Sequence, residues 1–221
     1  LIVDSSLSGL KKVLFGSGLL TPNIQIVAKA LLSDSVPAEW NKRWEGPEKP
    51  QLWLRELTRK RAAIMNWKSK SRGSMLSDPV CLDDLFNPAT FINALRQQTA
   101  RQLTMAIDRV KLTCAWDRDA SSLQCALPCT LTGLYLQGAS FHGGILREST
   151  GDANEISAAP IVTFGFIPMD EDERRRGETI GIPLYLTPTR ETLLAELSMP
   201  IDGDKEKWVL GGVALFMSEE E

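Results

Sequence analysis

Val110-Lys111-Leu112-Thr113-Cys114-Ala115-Trp116 sets Val110, Leu112, Cys114 and Trp116 on one side of the chain and Lys111, Thr113 and Ala115 on the other. This is the two-residue period of a half-buried β-strand. Before it, apolar residues recur at helical spacing; after it, they alternate. The switch, near Ala106 to Val110, predicts an α+β chain with a helical segment over 1–107 and an antiparallel β unit over 108–221.

Upstream, Asn87 and Pro88 start a helix whose apolar face is Phe91, Ile92, Leu95, Thr99, Leu103 and Ala106. Asn can cap the open N–H groups, and Pro at the first position gives up an N–H that had no helical partner. A longer helix is expected from about Pro50 to Lys68. At 100° per residue it places Trp53, Leu57, Ile64 and Trp67 in one stripe, with Lys60 inside it. That lysine reads as a snorkelling stem at a core edge or as half of a buried pair. Arg55, Arg59, Arg61, Lys68, Lys70 and Arg72 make the surroundings basic, a solvated or docking face. Thr21-Pro22 starts another helix, closed before Val36-Pro37, and Val3 to Phe15 forms a first one ending at Gly16-Ser17-Gly18.

Downstream, strands are expected at Leu131–Gln137, Phe141–Leu146 around Gly143-Gly144, Ile161–Ile167, Ile182–Thr187, Thr192–Met199 and Trp208–Met217. With the 110–116 strand they form a sandwich or a partly closed barrel. The last strand, apolar on both faces and carrying Gly211-Gly212, is expected to be buried. Two excursions without periodicity, Arg147–Pro160 and Asp170–Glu178, read as exposed loops.

The totals narrow the function classes. Twenty-five basic and 28 acidic residues, net charge -3, give no global field to draw a polyanion, which argues against nucleic acid as a partner. Apolar runs stay well short of the roughly 18 to 20 residues that span a bilayer, so no membrane is expected. Cys81, Cys114, Cys125 and Cys129 are too few for a disulfide scaffold and suit a reducing, cytoplasmic setting. The start, Leu1-Ile2-Val3-Asp4, suggests that the numbering begins inside something longer.

Reactive constellations are scarce. The phosphate-cradling G-x-x-x-x-G-K-[ST] is absent, and a Ser-His-Asp site would have to use His142, the one histidine, without a G-x-S-x-G elbow. His142-Gly143-Gly144 reads as a hairpin turn. Cys125 and Cys129 lack the closer paired spacing of a zinc site and read as free thiols. Spacing alone does not test paired carboxylates, since these meet only in three dimensions. The acids of Asp170–Glu173 sit beside Arg174, Arg175 and Arg176 as in an ordinary solvated loop. Of the six tryptophans, four (Trp40, Trp44, Trp53 and Trp67) lie in the helical half, which points to packing and docking over ligand stacking.

In order, Val36-Pro37-Ala38-Glu39-Trp40, the Trp53-Leu54-Arg55-Glu56-Leu57 to Trp67 helix, Leu85-Phe86-Asn87-Pro88, Gly133 to Ala139, Pro183-Leu184-Tyr185-Leu186 and Trp208 to Phe216 resemble the C-terminal domain of a dynein heavy chain. The resemblance covers essentially the whole chain. Trp44-Glu45-Gly46-Pro47-Glu48 and Asn93 to Arg101 look most like the heavy chain of retrograde intraflagellar transport. The resemblance implies a helical segment continuous with the last small subdomain of the motor ring, then an incomplete six-stranded β-barrel.

It also implies a non-catalytic structural and regulatory role: bracing the AAA ring modules of the same heavy chain and modulating microtubule-based movement. ATP and Mg would belong to the parent motor, with no cofactor in this part. The setting would be the cytoplasm, the cytoskeleton and the cilium or flagellum, and the isolated piece would be monomeric. Trp53, Leu57, Lys60, Ile64, Trp67, Trp40 and Trp44 are the docking candidates. A family arginine in the long helix stands as Lys60 here, and Lys lacks the planar fork of a bidentate ion pair. The rival readings are a β-barrel ligand- or glycan-binding module under a helical layer, using Trp116 or Tyr135, and a hydrolase around His142.

Overall fold

A computed structural model of the protein describes residues 2–70, 75–117, 123–148, 156–172, 179–202 and 205–218. The chain divides into two compact units, Leu1–Ala63 and Ile64–Glu221. That boundary falls inside a helix, well upstream of the change in periodicity.

The first unit contains α1 (Ile2–Leu14), α2 (Pro22–Leu32), the single turn α3 (Ala38–Asn41) and most of α4 (Pro50–Lys70). Thr21 caps α2 through a hydrogen bond accepted from the Ile24 N–H at 3.4 Å, with Pro22 at the first helical position. α1 ends where Gly16 takes φ +70°, a left-handed conformation that spares glycine the Cβ penalty. The buried side chains are Val27, Trp40 and Trp53, and Val3, Leu7, Leu31, Val36, Trp44, Leu54 and Leu57 pack around them.

In the second unit Asn87 caps α5 (Pro88–Gln102), its Oδ1 accepting from the Thr90 N–H at 2.9 Å. Ile92, Leu95, Thr99 and Ala100 form the buried face, and α5 lies against β2 (Val110–Trp116), β8 (Val162–Pro168) and β10 (Leu193–Pro200). One sheet runs β1-β3-β8-β2, with β1 at Val80–Cys81 and β3 at Cys129–Thr132. Its central strand β8 is buried along six of its seven residues. A second sheet runs β10-β9-β11-β4-β7, with β9 at Thr179–Tyr185, β11 at Ala214–Phe216, β4 at Tyr135–Gln137 and β7 at Ile156–Ala158. β5 (Ser140–His142) and β6 (Ile145–Arg147) form the hairpin expected around Gly143-Gly144. The Trp116 indole N–H (2.8 Å) and the Cys114 thiol (3.0 Å) both donate to the Ser198 carbonyl, tying β2 of the first sheet to β10 of the second.

Helices followed by strands are therefore present, but several expectations need correction. Hydrogen bonding among the described residues gives three separate sheets, so the incomplete barrel is not established by it, and short strands are more numerous than six. The pairing is not wholly antiparallel, since β1 with β3 and β11 with β9 run parallel.

Leu131–Gln137 is two strands in different sheets. The break is Gly133 at φ +70°, where a Cβ would stand 2.9 Å from the Cys81 sulfur. Trp208–Met217 is likewise not one strand. Residues Lys205–Leu210 form helix α7, with Trp208 buried and Val209 and Leu210 exposed, and only Ala214–Phe216 are extended. Gly212, at φ +63°, ends the helix and turns the chain into β11.

The expected loop 147–160 contains β7, too short and too exposed to show alternation, while 149–155 lie outside the described residues. The 170–178 run begins inside a helical turn, α6 (Met169–Asp172), and 173–178, like Arg72, lie outside the described residues.

Candidate docking surface

The α4 stripe divides between the two units. In the first, Trp53 is 1% exposed, and its ring centroid lies 5.6 Å from that of Trp40 and 5.4 Å from that of Trp44. The Trp53 indole N–H donates to the Trp44 carbonyl at 3.3 Å, and that of Trp40 to Ser6 Oγ at 3.4 Å. Gly46 is required by this packing, because a Cβ there would lie 2.7 Å from the Trp44 ring and 2.9 Å from that of Trp53.

Lys60, 7% exposed, holds its Nζ 5.9 Å from the Trp44 ring centroid, so its charge rests on an aromatic face. Leu57 is half-buried against the same cluster. In the second unit Ile64 and Trp67 pack on the sheet core, and Trp67 meets Phe91 edge-on at 6.1 Å. Trp40, Trp44, Trp53, Leu57 and Lys60 are thus brought together, and Ile64 and Trp67 stand in the other core.

These side chains pack within their own units, with Trp40, Trp53 and Lys60 buried and Trp44, Leu57, Ile64 and Trp67 half-buried. The outward apolar surface of the first unit is elsewhere: Leu14 (77%), Phe15 (76%), Leu19 (87%) and Leu32 (88%) are the most exposed, joined by Leu20 and Ile26. No side chain of α1 is fully buried, although the helix has a clear apolar face. Sequence reasoning missed this surface. Its only signal was apolar residues, Phe15, Leu19 and Leu20, standing in a glycine-containing turn where polar ones are usual.

On the polar side of α4, the Arg59 Nε donates to Glu56 Oε2 at 2.7 Å. That bond, with the charges of Arg59 and Arg55, holds the Glu56 carboxyl below the usual carboxylate range against the opposing effect of its partial burial. The local basicity is partly neutralised within the helix itself.

Among the described residues reactive groups do not converge. None of the four cysteines is in a disulfide, and burial pushes the Cys114 and Cys129 thiols up to about 12. Such thiols carry almost no thiolate at neutral pH and are poor nucleophiles. His142 is exposed in a hairpin. Among the described residues no group of three or more His, Cys, Asp or Glu is placed to hold a metal, and no helix is long and apolar enough to cross a membrane.

A helical unit with a tryptophan core, joined through one long helix to a unit of short-stranded sheets, matches a known family along nearly its whole length. That family, the C-terminal domain of dynein heavy chains, matches residues 2–217, and the protein belongs to it. Among individual proteins it is similar to cytoplasmic dynein 2 heavy chain 1 of Tripneustes gratilla, 36% identical over 220 residues, and of Homo sapiens, 35% identical over 220; each match covers 99% of this chain. The protein of the same name from Chlamydomonas reinhardtii is 33% identical over 232 residues, 98% of this chain. The chain spans 5% of the length of each of these relatives.

Proposed function

We propose that this chain is the non-catalytic, structural and regulatory C-terminal domain of a dynein heavy chain of the intraflagellar-transport type. It braces the ATPase ring of that heavy chain and modulates microtubule-based retrograde transport in cilia or flagella. ATP and Mg act in the ring modules, and the setting is the cytoplasm and the ciliary cytoskeleton. The β unit is read as an open, incomplete barrel, a reading supported by the bonds from Trp116 and Cys114 to Ser198 that link the two larger sheets.

The observation that carries the bracing role is the exposure of Leu14, Phe15, Leu19 and Leu20 around the turn between α1 and α2. A patch of large apolar side chains on so small a unit marks a contact site. Its occupant is the ring portion of the same polypeptide, the part of the relatives that lies outside the matched 5%. The Trp53, Leu57 and Lys60 cluster, with Trp40 and Trp44, fixes α4 behind that surface, and Ile64 and Trp67 fix it in the second unit.

The test uses a full heavy chain with Phe15→Ser, Leu19→Ser and Leu20→Ser combined in this segment. Because these side chains face water, the isolated 221-residue variant is expected to keep its circular dichroism and melting temperature. The full motor is expected to show a lower ring melting temperature and a reduced stall force. Wild-type values for both ring properties would overturn the bracing role.

A further inference from the structure

The connection between β9 and β10 is a tight turn, Thr187-Pro188-Thr189-Arg190, closed by the Arg190 N–H donating to the Thr187 carbonyl at 3.1 Å. Pro188 suits the second position of such a turn because its φ is fixed there in advance. Arg190 has φ +59°, the left-handed region that glycine and asparagine favour in hairpin connections. An arginine held there needs an offsetting interaction.

Its side chain supplies one. Nη2 donates to Gln137 Oε1 and to the Gly212 carbonyl, each at 2.9 Å, and the guanidinium carbon lies 5.7 Å from the Phe216 ring centroid. Gln137 ends β4, Gly212 is the left-handed residue between α7 and β11, and Phe216 ends β11. β11 lies between β9 and β4, so one guanidinium fastens an inserted strand to a neighbour and to its own entry turn. Both acceptors are uncharged oxygens. In the same turn the hydroxyls of Thr187 and Thr189 are hydrogen-bonded at 2.7 Å, with Thr187 half-buried and Thr189 exposed.

We propose that Thr187 is a phosphorylation site and that the phosphate opens the Arg190 clamp on β11. Thr187 precedes Pro188, the pattern that a proline-directed protein kinase selects. The Thr187 Oγ attacks the γ-phosphorus of ATP, its proton passes to the kinase's catalytic base, and the bond to the leaving ADP oxygen breaks. The product carries about -1.5 to -2 charges and three strong acceptor oxygens, three residues from a guanidinium on a flexible stem. Charge-assisted bonds to a dianion are stronger than bonds to an amide and a peptide carbonyl. The guanidinium therefore moves to the phosphate, Gln137 and Gly212 lose their donor, and β11 with its entry turn loosens.

The experiment incubates the 221-residue protein with ATP and a proline-directed kinase, assigns the modified residue by mass spectrometry, and follows amide hydrogen exchange over 205–217. Phosphate at Thr187 is expected, besides any added at Thr21, the other threonine that precedes a proline, with exchange over 205–217 rising roughly tenfold, about the equivalent of losing one hydrogen bond. Arg190→Ala is expected to raise exchange to the same extent without phosphate, and Arg190→Gly as well, although glycine relieves the backbone strain. Thr187→Val is expected to take up no phosphate at position 187 and to exchange over 205–217 as wild type, whatever is added at Thr21. The proposal is overturned if Thr187 stays unmodified while a peptide of the same sequence is modified. It is equally overturned if the phosphorylated protein, or the Arg190→Gly variant, keeps wild-type protection over 205–217.

Discussion

The two ends of α4 bury their stripe in cores of very different extent. Its first turns enter a cluster whose fully buried members, among the described residues, are Val27, Trp40 and Trp53. Its last turns enter a continuous core running from Val80 and Leu82 through α5 and both larger sheets to Leu215 and Met217. Fully burying one large apolar side chain contributes about 1.5–3 kcal/mol, so a core of a few such residues leaves a thin margin over chain entropy. The first unit also keeps Leu14, Phe15, Leu19 and Leu32 in water. The smaller core thus belongs to the unit for which a docking role is proposed.

The most direct way to break the comparison is Trp53→Ala. Truncating a buried tryptophan costs about 3–5 kcal/mol, enough to unfold the first unit, while amide exchange in β8 of the second is expected to stay unchanged. A single shared transition shifted as a whole would show that the units are not thermodynamically separable.

Alkaline pH sharpens the contrast from the other side, because all four cysteines lie in the second unit. The folded state raises the Cys114 and Cys129 pKa values to about 12, so it prefers the neutral thiols. Their contribution to stability is complete below the unfolded thiol pKa of about 8.5 and is lost as the pH climbs toward 12. Each raised thiol should steepen the decline by at most about 1.4 kcal/mol per pH unit in that window. Denaturation at pH 8 and pH 10 is expected to show this loss, reduced in the Cys114→Ala, Cys129→Ala double variant.

The smallest effect is Asn87→Ala, which removes the bond to Thr90 and should cost about 1 kcal/mol in the second unit alone. Urea unfolding followed through near-ultraviolet signals of Trp116 would measure it.

Much of the helical half was legible because caps are local. Asn87, Thr21 and their prolines mark helix starts by chemistry that depends on three or four neighbouring residues. The α4 stripe was legible too, but not which core each end would meet, because periodicity gives a face and not its partner. The β half was harder to read. A run such as Trp208 to Met217 has the same apolar density as a strand or as a helix followed by a turn, and the left-handed φ of Gly212 decides the outcome. β1 and β7 have two and three residues, below the length at which alternation can be seen. The apolar surface around Phe15 and Leu19 is defined by what fails to cover it, which no local pattern records.

The position of β11 has a consequence for biosynthesis. Its neighbours β4 and β9 both precede it in the chain, and neither pairs with the other. A ribosome that has emitted everything up to residue 200 therefore displays two raw strand margins whose backbone groups await the same short segment. Until residues 214–216 emerge and slot between them, each margin is a template for any extended peptide nearby, so a chaperone that shields β-edges should matter most in that interval.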